Sequence, residues 1–304
     1  MLARLQKFTT LGGLLAALLW AWACWRAGRP GWAAAGAALI VGGYALVLAL
    51  EFALLRLAHG DDPTPRATPA QLLRAWWGEV RAAPRVFCWR QPFRSRVWPD
   101  HLPAAAQGRR GLLLVHGFVC NRGVWNLWLR RLQPLGVPFV AVNLEPVFGS
   151  VDDYVATVEK GVLQLERCTG LPPVIVAHSM GGLAVRRWLA EAGLAGDARV
   201  HHIVTIGTPH RGTWLARWAV SSNSREMRID SPWQRQLGTR EPAQRPAKFT
   251  CFYSHCDNIV FPPAVASLPG ADNRHLPGVA HVDMVDHPAP WAEVQGRLAE
   301  PLRR

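Results

Sequence analysis

The chain has 304 residues, half of them hydrophobic, which is enough for one globular domain with a substantial core in addition to a membrane segment. The formal charge of +13 would suit nucleic acid or an anionic lipid surface. However, the basic residues are scattered and no nucleic-acid-binding module accompanies them, so we expect no nucleic-acid partner. The six cysteines show no CxxC pair and no zinc-like Cys/His spacing, so we expect no metal, and nothing indicates another cofactor. Free thiols fit this pattern best, although Cys251 and Cys256 could pair in an oxidising compartment.

Two uncharged apolar stretches open the chain, Phe8 to Trp25 and Trp32 to Leu50. Each is about as long as a bilayer-spanning helix, which needs ~20 apolar residues. The charged link "RAGRPG" separates them, and tryptophans cluster at this turn as they do at membrane interfaces: Trp20, Trp22, Trp25 and Trp32. The sequence therefore predicts a transmembrane helical hairpin within residues 1–58, in contact with membrane lipids.

A secretory signal is the alternative for the first stretch, because Arg4 and Lys7 precede it and "AWAC" resembles a lipoprotein cleavage site. Trp22 suits such a site poorly, and the second stretch would anchor the chain in any case. The outer ends of the hairpin carry more basic residues than the link does, so the positive-inside tendency predicts a multi-pass membrane protein with both termini and the following domain in the cytoplasm. We expect the membrane to be a bacterial inner membrane. We expect Glu51, at the end of the second stretch, to lie near the interface; the alternative is a place in a buried relay.

Residues 59–85 are predicted to leave the membrane. The polar, proline-rich stretch from His59 to Pro69 is typical of a linker. From Ala70 to Ala83 the apolar residues have helical spacing, so this amphipathic helix could lie along the membrane or pack on the domain that follows.

Residues 86–304 alternate short apolar runs with helical patterns, which indicates a mostly parallel sheet flanked by helices. In such a sheet the carboxyl ends of all strands lie on one edge, where loops can converge on a site. The predicted strands lie in Gly111–Gly117, Val137–Leu144, Pro173–Ser179, Val200–Pro209 and Lys248–Asp257.

The third of these runs leads into "AHSMGG", in which Ser179 stands between a predicted strand and a predicted helix. This spacing approximates the nucleophile elbow G-x-S-x-G, whose tight turn lifts a serine above the sheet edge. Ala177 replaces the first glycine but keeps the side chain small. Ser179 is therefore the candidate nucleophile, and its neighbour His178 is interpreted as structural.

A serine nucleophile needs a base and an acid, which in this architecture follow it in the order acid, then histidine. Asp257 ends the last predicted strand and is the candidate acid. His281, in "GVAHVDM", is the preferred base because it lies in an apolar-flanked loop beyond that strand. His275 and His287 are its competitors, interpreted as an exposed loop residue and a helix-boundary residue respectively.

An oxyanion hole would use two backbone N–H groups, that of Met180 after the nucleophile and that of Phe118 in the loop "HGF". Met180 would also stand at a helix amino terminus, whose dipole favours a developing negative charge. In the same loop, His116 is interpreted as shaping the backbone. Cys120 could be a reactive thiol, but a packing role is the preferred interpretation.

From about Arg110 to Pro288 the chain resembles the α/β-hydrolase superfamily, and within it bacterial lipases and esterases with an "AHSMGG" elbow. The resemblance rests on that elbow together with "HGF", "TIGTPHRGT", "SPWQRQL", "DNIVFPP" and "GVAHVDM", which occur in matching order. It implies an α/β-hydrolase fold, a triad of Ser179, Asp257 and His281, and hydrolysis of lipid-like or other small ester substrates.

Other functions stay open, because the same elbow also serves acyltransferases and thioesterases, and a silent fold could act as an interaction module. The segment from Arg211 to Gln244 interleaves Trp, Leu and Arg and could be either a lid over an apolar cleft or a packed insertion.

Overall fold

The computed structural model describes residues 1–301; the last three positions of the predicted 86–304 domain, 302–304, lie outside the described residues. A six-stranded, wholly parallel sheet forms the centre of the molecule, in the order β2-β1-β3-β4-β5-β6. The strands are β1 Leu112–Val115, β2 Phe139–Ala141, β3 Val174–His178, β4 His202–Ile206, β5 Phe249–Tyr253 and β6 Asp272–His275.

The first five strands lie within the five predicted runs, whereas β6 was not predicted. Its sequence, "DNRH", has no apolar alternation because it is an edge strand with two exposed residues. Strands β1, β3 and β4 are buried along their whole length, as expected for strands covered on both faces by helices.

Two layers of helices cover the sheet and enclose a core on each face. One core contains Tyr154 and Trp188, and the other contains Trp125 and Trp128. The helices that follow the first 68 residues are α4 Pro69–Ala83, α5 Gln91–Arg94, α6 Asn126–Leu132, α7 Val155–Thr169, α8 Met180–Ala198, α9 Ser222–Glu226, α10 Pro232–Thr239 and α11 Pro288–Ala299.

The amino-terminal segment folds into α1 Leu2–Arg26, α2 Pro30–Gly42 and α3 Tyr44–Leu57. By length and composition, α1 could cross a membrane, and the pair α2 and α3 would qualify together as a second span although it is bent by 54°. The stretch predicted as one helix is therefore broken at Gly43. A Cβ at this position would lie 2.5 Å from the carbonyl oxygen of Leu39, so a residue without a side chain suits the bend.

Helix α4 begins at a capping box in which Thr68 and Gln71 exchange hydrogen bonds. It packs on the domain through Ala75 and Glu79, which are both buried, so the amphipathic helix predicted here does contact the domain. A π-helical turn, Pro84–Arg90, joins α4 to α5, so the predicted boundary between residues 85 and 86 falls within a continuous helical run.

Candidate active site

Ser179 stands in a strained turn between β3 and α8. Its backbone has φ 55° and ψ −132°, a conformation that L residues rarely adopt and that persists only where the surroundings enforce it. The Ser179 N–H donates to the carbonyl of Ile206 at 2.9 Å, and the Thr208 hydroxyl donates to the Ser179 carbonyl at 2.9 Å. The neighbouring strand β4 and the loop after it therefore hold the serine in this geometry.

The two glycines of the elbow are required by close backbone contacts. A Cβ at Gly181 would lie 2.6 Å from the carbonyl oxygens of Val115 and His116, and one at Gly182 would lie 2.3 Å from the Thr208 hydroxyl. The start of α8 can therefore approach the ends of β1 and β4 only because these positions lack side chains.

The predicted acid and base are hydrogen-bonded to each other. Asp257 follows β5, and its Oδ2 lies 2.9 Å from Nδ1 of His281. Its other oxygen, Oδ1, accepts the N–H groups of Ile259 at 2.9 Å and Val260 at 2.8 Å. Asp257 is fully buried and His281 is 4% exposed, so the carboxylate is fixed in orientation and shielded from water.

The surroundings of His281 favour its charged form. Burial by itself lowers the pKa of His281, but the charge of Asp257 and the hydrogen bond to it, with the further negative charges of Glu79 and Glu51, outweigh burial and raise the pKa above its ordinary value of 6.5. His178 has the opposite outcome, because burial and the nearby charge of His281 lower its pKa well below 6.5.

His281 lies close to the elbow, with its ring centroid 4.7 Å from that of His178. A Cβ at Gly207, the residue after β4, would lie 3.0 Å from Oδ2 of Asp257 and 3.1 Å from Nδ1 of His281. Within residues 1–301 no hydrogen bond joins the Ser179 hydroxyl to His281, which is common for such pairs in the absence of substrate.

The loop after β1 passes directly over the serine. A Cβ at Gly117 would lie 2.7 Å from the Ser179 Cβ and 3.3 Å from its Oγ. The N–H groups of Phe118 and Met180 form no hydrogen bond among the residues that the structure describes, so both are free to donate to an anion beside Ser179.

His116 fixes the orientation of this loop. Its Nε2 accepts the N–H of Leu144 at 3.0 Å, so the proton is on Nδ1, which donates to the carbonyl of Gly117 at 2.9 Å. Burial lowers the pKa of His116 to about 4, so the ring is neutral at pH 7. Because a peptide unit is planar, holding the Gly117 carbonyl also sets the direction of the Phe118 N–H.

An apolar pocket with a volume of about 400 Å³ opens beside Ser179. One wall belongs to the segment Arg211–Gln244, which is joined to the domain through Asn223: its side chain donates to the Val147 carbonyl at 2.8 Å and to the Tyr154 hydroxyl at 3.0 Å. The apolar lining includes Phe118, Phe148, Leu215, Ala216, Trp218, Val220, Met227, Ile259 and Val260.

The remaining candidates, His275, His287 and Cys120, contribute no reactive group to the site. His275 is half-buried at the end of β6, against the rings of Tyr253 and His255, so its interpretation as an exposed loop residue is wrong. His287 caps α11 by accepting the N–H of Ala289, as predicted for a helix-boundary residue. Cys120 is buried, and burial raises its pKa to about 12, which leaves the thiol protonated and unreactive.

Cys251 and Cys256 are both free thiols, so the pairing considered for an oxidising compartment is absent from the described part of the chain. No group of three or more His, Cys, Asp or Glu side chains among residues 1–301 is arranged to hold a metal ion.

Two polar residues near the site, Glu79 and Asn258, were not recognised from the sequence, and a third, Glu51, was expected near the membrane interface. The Glu79 carboxylate accepts the N–H groups of Val282 and Asp283, directly after His281. The Asn258 side-chain amide donates to Glu51 at 2.6 Å, and its oxygen accepts the His281 N–H at 3.3 Å. Glu51 thus contacts the site's loops, a role that its predicted place at the membrane interface did not include. The signal available in the sequence was that Glu51 is a carboxylate in an otherwise apolar helix, which indicates a polar partner.

The sequence matches no protein-family model and no curated protein, whereas its structure is similar to solved lipases. Bacillus licheniformis lipase BlEst2 in its mature form superposes with a TM-score of 0.56 at 16% identity, over 66% of this chain and 96% of that one. The propeptide form gives 0.55 at 17% identity, over 67% and 53%. Aspergillus fumigatus lipase B gives 0.52 at 19% identity, over 66% and 56%. The chain spans little more than half the length of the latter two. The fold is therefore that of an α/β-hydrolase, as predicted.

Proposed function

We propose that the protein is a membrane-anchored serine hydrolase that cleaves carboxylic esters of lipid-like or other apolar substrates. The observation that carries the proposal is the strained backbone of Ser179 beside the buried Asp257–His281 pair. Strain of this kind costs ~1–3 kcal/mol, and a fold keeps it where the site requires it. In this proposal residues 1–58 anchor the chain, residues 59–85 connect it, and residues 86–304 form the catalytic domain.

The proposed chemistry begins when His281 removes the proton of the Ser179 hydroxyl as its oxygen attacks the ester carbonyl. Asp257 accepts the Nδ1–H of His281, which leaves Nε2 free as the base and stabilises the imidazolium that forms. The backbone N–H groups of Phe118 and Met180 bind the tetrahedral oxyanion, each contributing ~3 kcal/mol to transition-state stabilisation. The imidazolium then protonates the leaving alcohol, and water activated by His281 releases the acid.

The apolar pocket favours a substrate whose acyl group is apolar and binds next to Ser179. Its lining is almost entirely hydrocarbon and aromatic, so an acyl chain would lose water there without leaving a polar group unpaired. Phe148, Trp218 and Val220 are exposed at its mouth, which suits a substrate that comes from a lipid phase.

The amino-terminal helices support the membrane part of the proposal. Most large apolar side chains of α1 are exposed, and only 6% of its most apolar stretch is buried, which is the pattern of a helix covered by lipid. Basic residues at the outer ends of the hairpin favour cytoplasmic termini. A reporter fused to the carboxyl end should then be active only as a cytoplasmic reporter, and activity of a periplasmic alkaline phosphatase fusion would overturn this orientation.

A panel of p-nitrophenyl and glycerol esters of increasing acyl length tests the function on the full-length protein in detergent or liposomes. We expect turnover of medium or long acyl esters by the wild type and none above background by Ser179→Ala. Absence of turnover of every ester by a folded wild type would argue against the hydrolase. Adding an alcohol or thiol acceptor separates the remaining alternatives, because an acyltransferase would form the new ester and a thioesterase would prefer the thioester substrate.

A further inference from the structure

The amino-terminal segment reaches the site through polar side chains, although most of its surface is apolar. Glu79 of α4 is 2% exposed and contacts the turn after His281, and Glu51 of α3 contacts Asn258, which lies between the acid and the base in the chain. Burying a carboxylate is costly unless it is hydrogen-bonded, so the buried Glu79 and the partly buried Glu51, which face the same loops, call for an explanation.

Glu79 holds the turn that follows the base. Both of its oxygens lie 3.1 Å from the Val282 N–H, and Oε2 also accepts the Asp283 N–H at 3.1 Å. A Cβ at the preceding Gly78 would lie 2.7 Å from the Asp283 carboxylate, so α4 and this turn are in close contact. The backbone immediately after His281 therefore has its position fixed by α4.

Glu51 acts on the backbone N–H of the base through the side chain of Asn258. Its Oε2 accepts from the Asn258 side-chain amide at 2.6 Å, and the oxygen of the same amide accepts the His281 N–H at 3.3 Å. Asn258 is fully buried, so its amide has little freedom other than this orientation. The His281 backbone is thus hydrogen-bonded through Asn258 to α3, while the residues after it are hydrogen-bonded to α4.

We propose that Glu79 and Glu51 are positioning residues for His281, so that the amino-terminal helices complete the active site as well as anchoring it. The inference rests on the proposed function for its kinetic consequences. Neither carboxylate touches a reacting atom. Each fixes the backbone on one side of the imidazole and adds negative charge near it.

The charges around His281 give this proposal a specific signature. The ionisable groups that face the imidazole are Asp257, Glu79, Glu51 and His178. Burial raises the pKa of Glu79 to about 7, against the charge of His281 and its backbone hydrogen bonds, so Glu79 is partly ionised near neutral pH. As a base, His281 must be neutral, so the acid limb of the rate profile follows its pKa. Removing the Glu79 charge removes one cause of the raised pKa and should move that limb to lower pH.

The test compares Glu79→Gln, Glu79→Ala and Glu51→Gln with wild type in full-length protein. Glu79→Gln should move the acid limb of kcat/KM to lower pH, and Glu51→Gln should do so less. Glu79→Ala should also lower kcat, roughly tenfold to a hundredfold, with KM nearly unchanged, because the base is no longer held in place. The matched control is Glu226→Gln, since Glu226 likewise accepts a loop N–H, that of Val151 at 2.7 Å, but does not contact the acid or base loops. The acid limb of kcat/KM for Glu226→Gln should coincide with that of the wild type.

A second readout does not require activity. The low-field proton of the Asp257–His281 hydrogen bond, assigned by its loss in His281→Gln, reports the titration of the imidazole by NMR. The pH midpoint of this titration should be lower in Glu79→Gln than in the wild type and should be unchanged in Glu226→Gln. If the wild type shows this resonance but hydrolyses nothing, the proposed function fails, while the titration midpoints of the variants still test the positioning proposal. An unchanged midpoint in a folded Glu79→Gln protein would overturn the positioning proposal.

Discussion

The sheet region and the amino-terminal helices distribute polar and apolar side chains in opposite ways. In the sheet region the apolar side chains are inside, and β1, β3 and β4 have no exposed residue. In α1 and α3 most of the large apolar side chains are exposed, whereas the polar residues Gln6 and Glu51 face the domain. One region is built to exclude water from its centre. The other exposes apolar side chains, as a helix covered by lipid would, and two of its polar residues, Gln6 and Glu51, contact loops near the site.

This contrast suggests a division of roles. The groups proposed to react, Ser179, Asp257 and His281, all lie at the carboxyl edge of the sheet. The helices contribute groups that hold loops: Gln6 donates to Gln91 at 3.0 Å, within the network that orients the loop over the serine, in addition to the two glutamates described above. Substitutions of the groups proposed to react should therefore lower rates by roughly 10³-fold or more, and substitutions in the helices by about a hundredfold at most.

Removing the nucleophile should have the largest effect. Ser179→Ala keeps the backbone turn but lacks the hydroxyl, and we expect kcat to fall roughly 10⁴-fold or more. Hydrolysis of the best ester from the panel gives the measurement, with the thermal unfolding midpoint as a control for folding. Substantial residual turnover would mean that the chemistry lies outside the sheet edge.

Asp257→Asn should come next, with kcat lowered roughly 10³-fold to 10⁴-fold, because an amide no longer stabilises the imidazolium or selects the Nδ1–H tautomer. The pKa of His281 should also fall, since its main stabilising charge is lost. In the wild type this raised pKa means that activity declines as the pH falls through a value above 6.5. A rate profile measured from pH 5 to 9 checks both statements, and an acid limb unaffected by Asp257→Asn would contradict them.

Gly117→Ala tests the loop over the serine. The new Cβ would lie 2.7 Å from the Ser179 Cβ, so the loop must move and the Phe118 N–H moves with it. We expect kcat to fall about 10²-fold, the usual cost of a lost oxyanion donor, with little change in the unfolding midpoint. Gly238→Ala is the matched control, because a Cβ there meets nothing within 4 Å. Equal activity of the two variants would remove the loop from the mechanism.

The smallest effects should come from the apolar surface of α1 and should depend on the surroundings. Leu114→Ala opens a cavity in the buried sheet and should lower the free energy of unfolding by about 2–5 kcal/mol. Leu18 is 68% exposed, so Leu18→Ala should change stability little in detergent while slightly weakening retention in membranes. Chemical denaturation and alkaline extraction of membranes measure the two quantities. A large loss of stability in Leu18→Ala would indicate that α1 packs inside the protein.

The sequence was sufficient for the parts of the fold that depend on local patterns. Apolar runs located five strands, and the turn chemistry of "AHSMGG" located the elbow, because both signals are carried by neighbouring residues. Strand β6 was missed because an edge strand needs no apolar alternation. The break at Gly43 was missed because a glycine within an apolar helix does not by itself indicate a bend.

The contacts of Glu79, Glu51 and Asn258 could not have been predicted from spacing. They join residues about 200 positions apart, and they depend on how α3 and α4 dock against loops that the sheet brings together. By contrast, Asp257 and His281 could be proposed as acid and base from the sequence because their order along the chain follows from the architecture, and their side chains lie within hydrogen-bond distance.

The central claim is that Ser179 is the nucleophile activated by the buried Asp257–His281 pair. Peptide mass spectrometry after reaction with a fluorophosphonate tests it most directly. We expect a single adduct on Ser179 in the wild type, none in Ser179→Ala, and much slower labelling in His281→Gln. An unlabelled wild type, or an adduct on another residue, would contradict it.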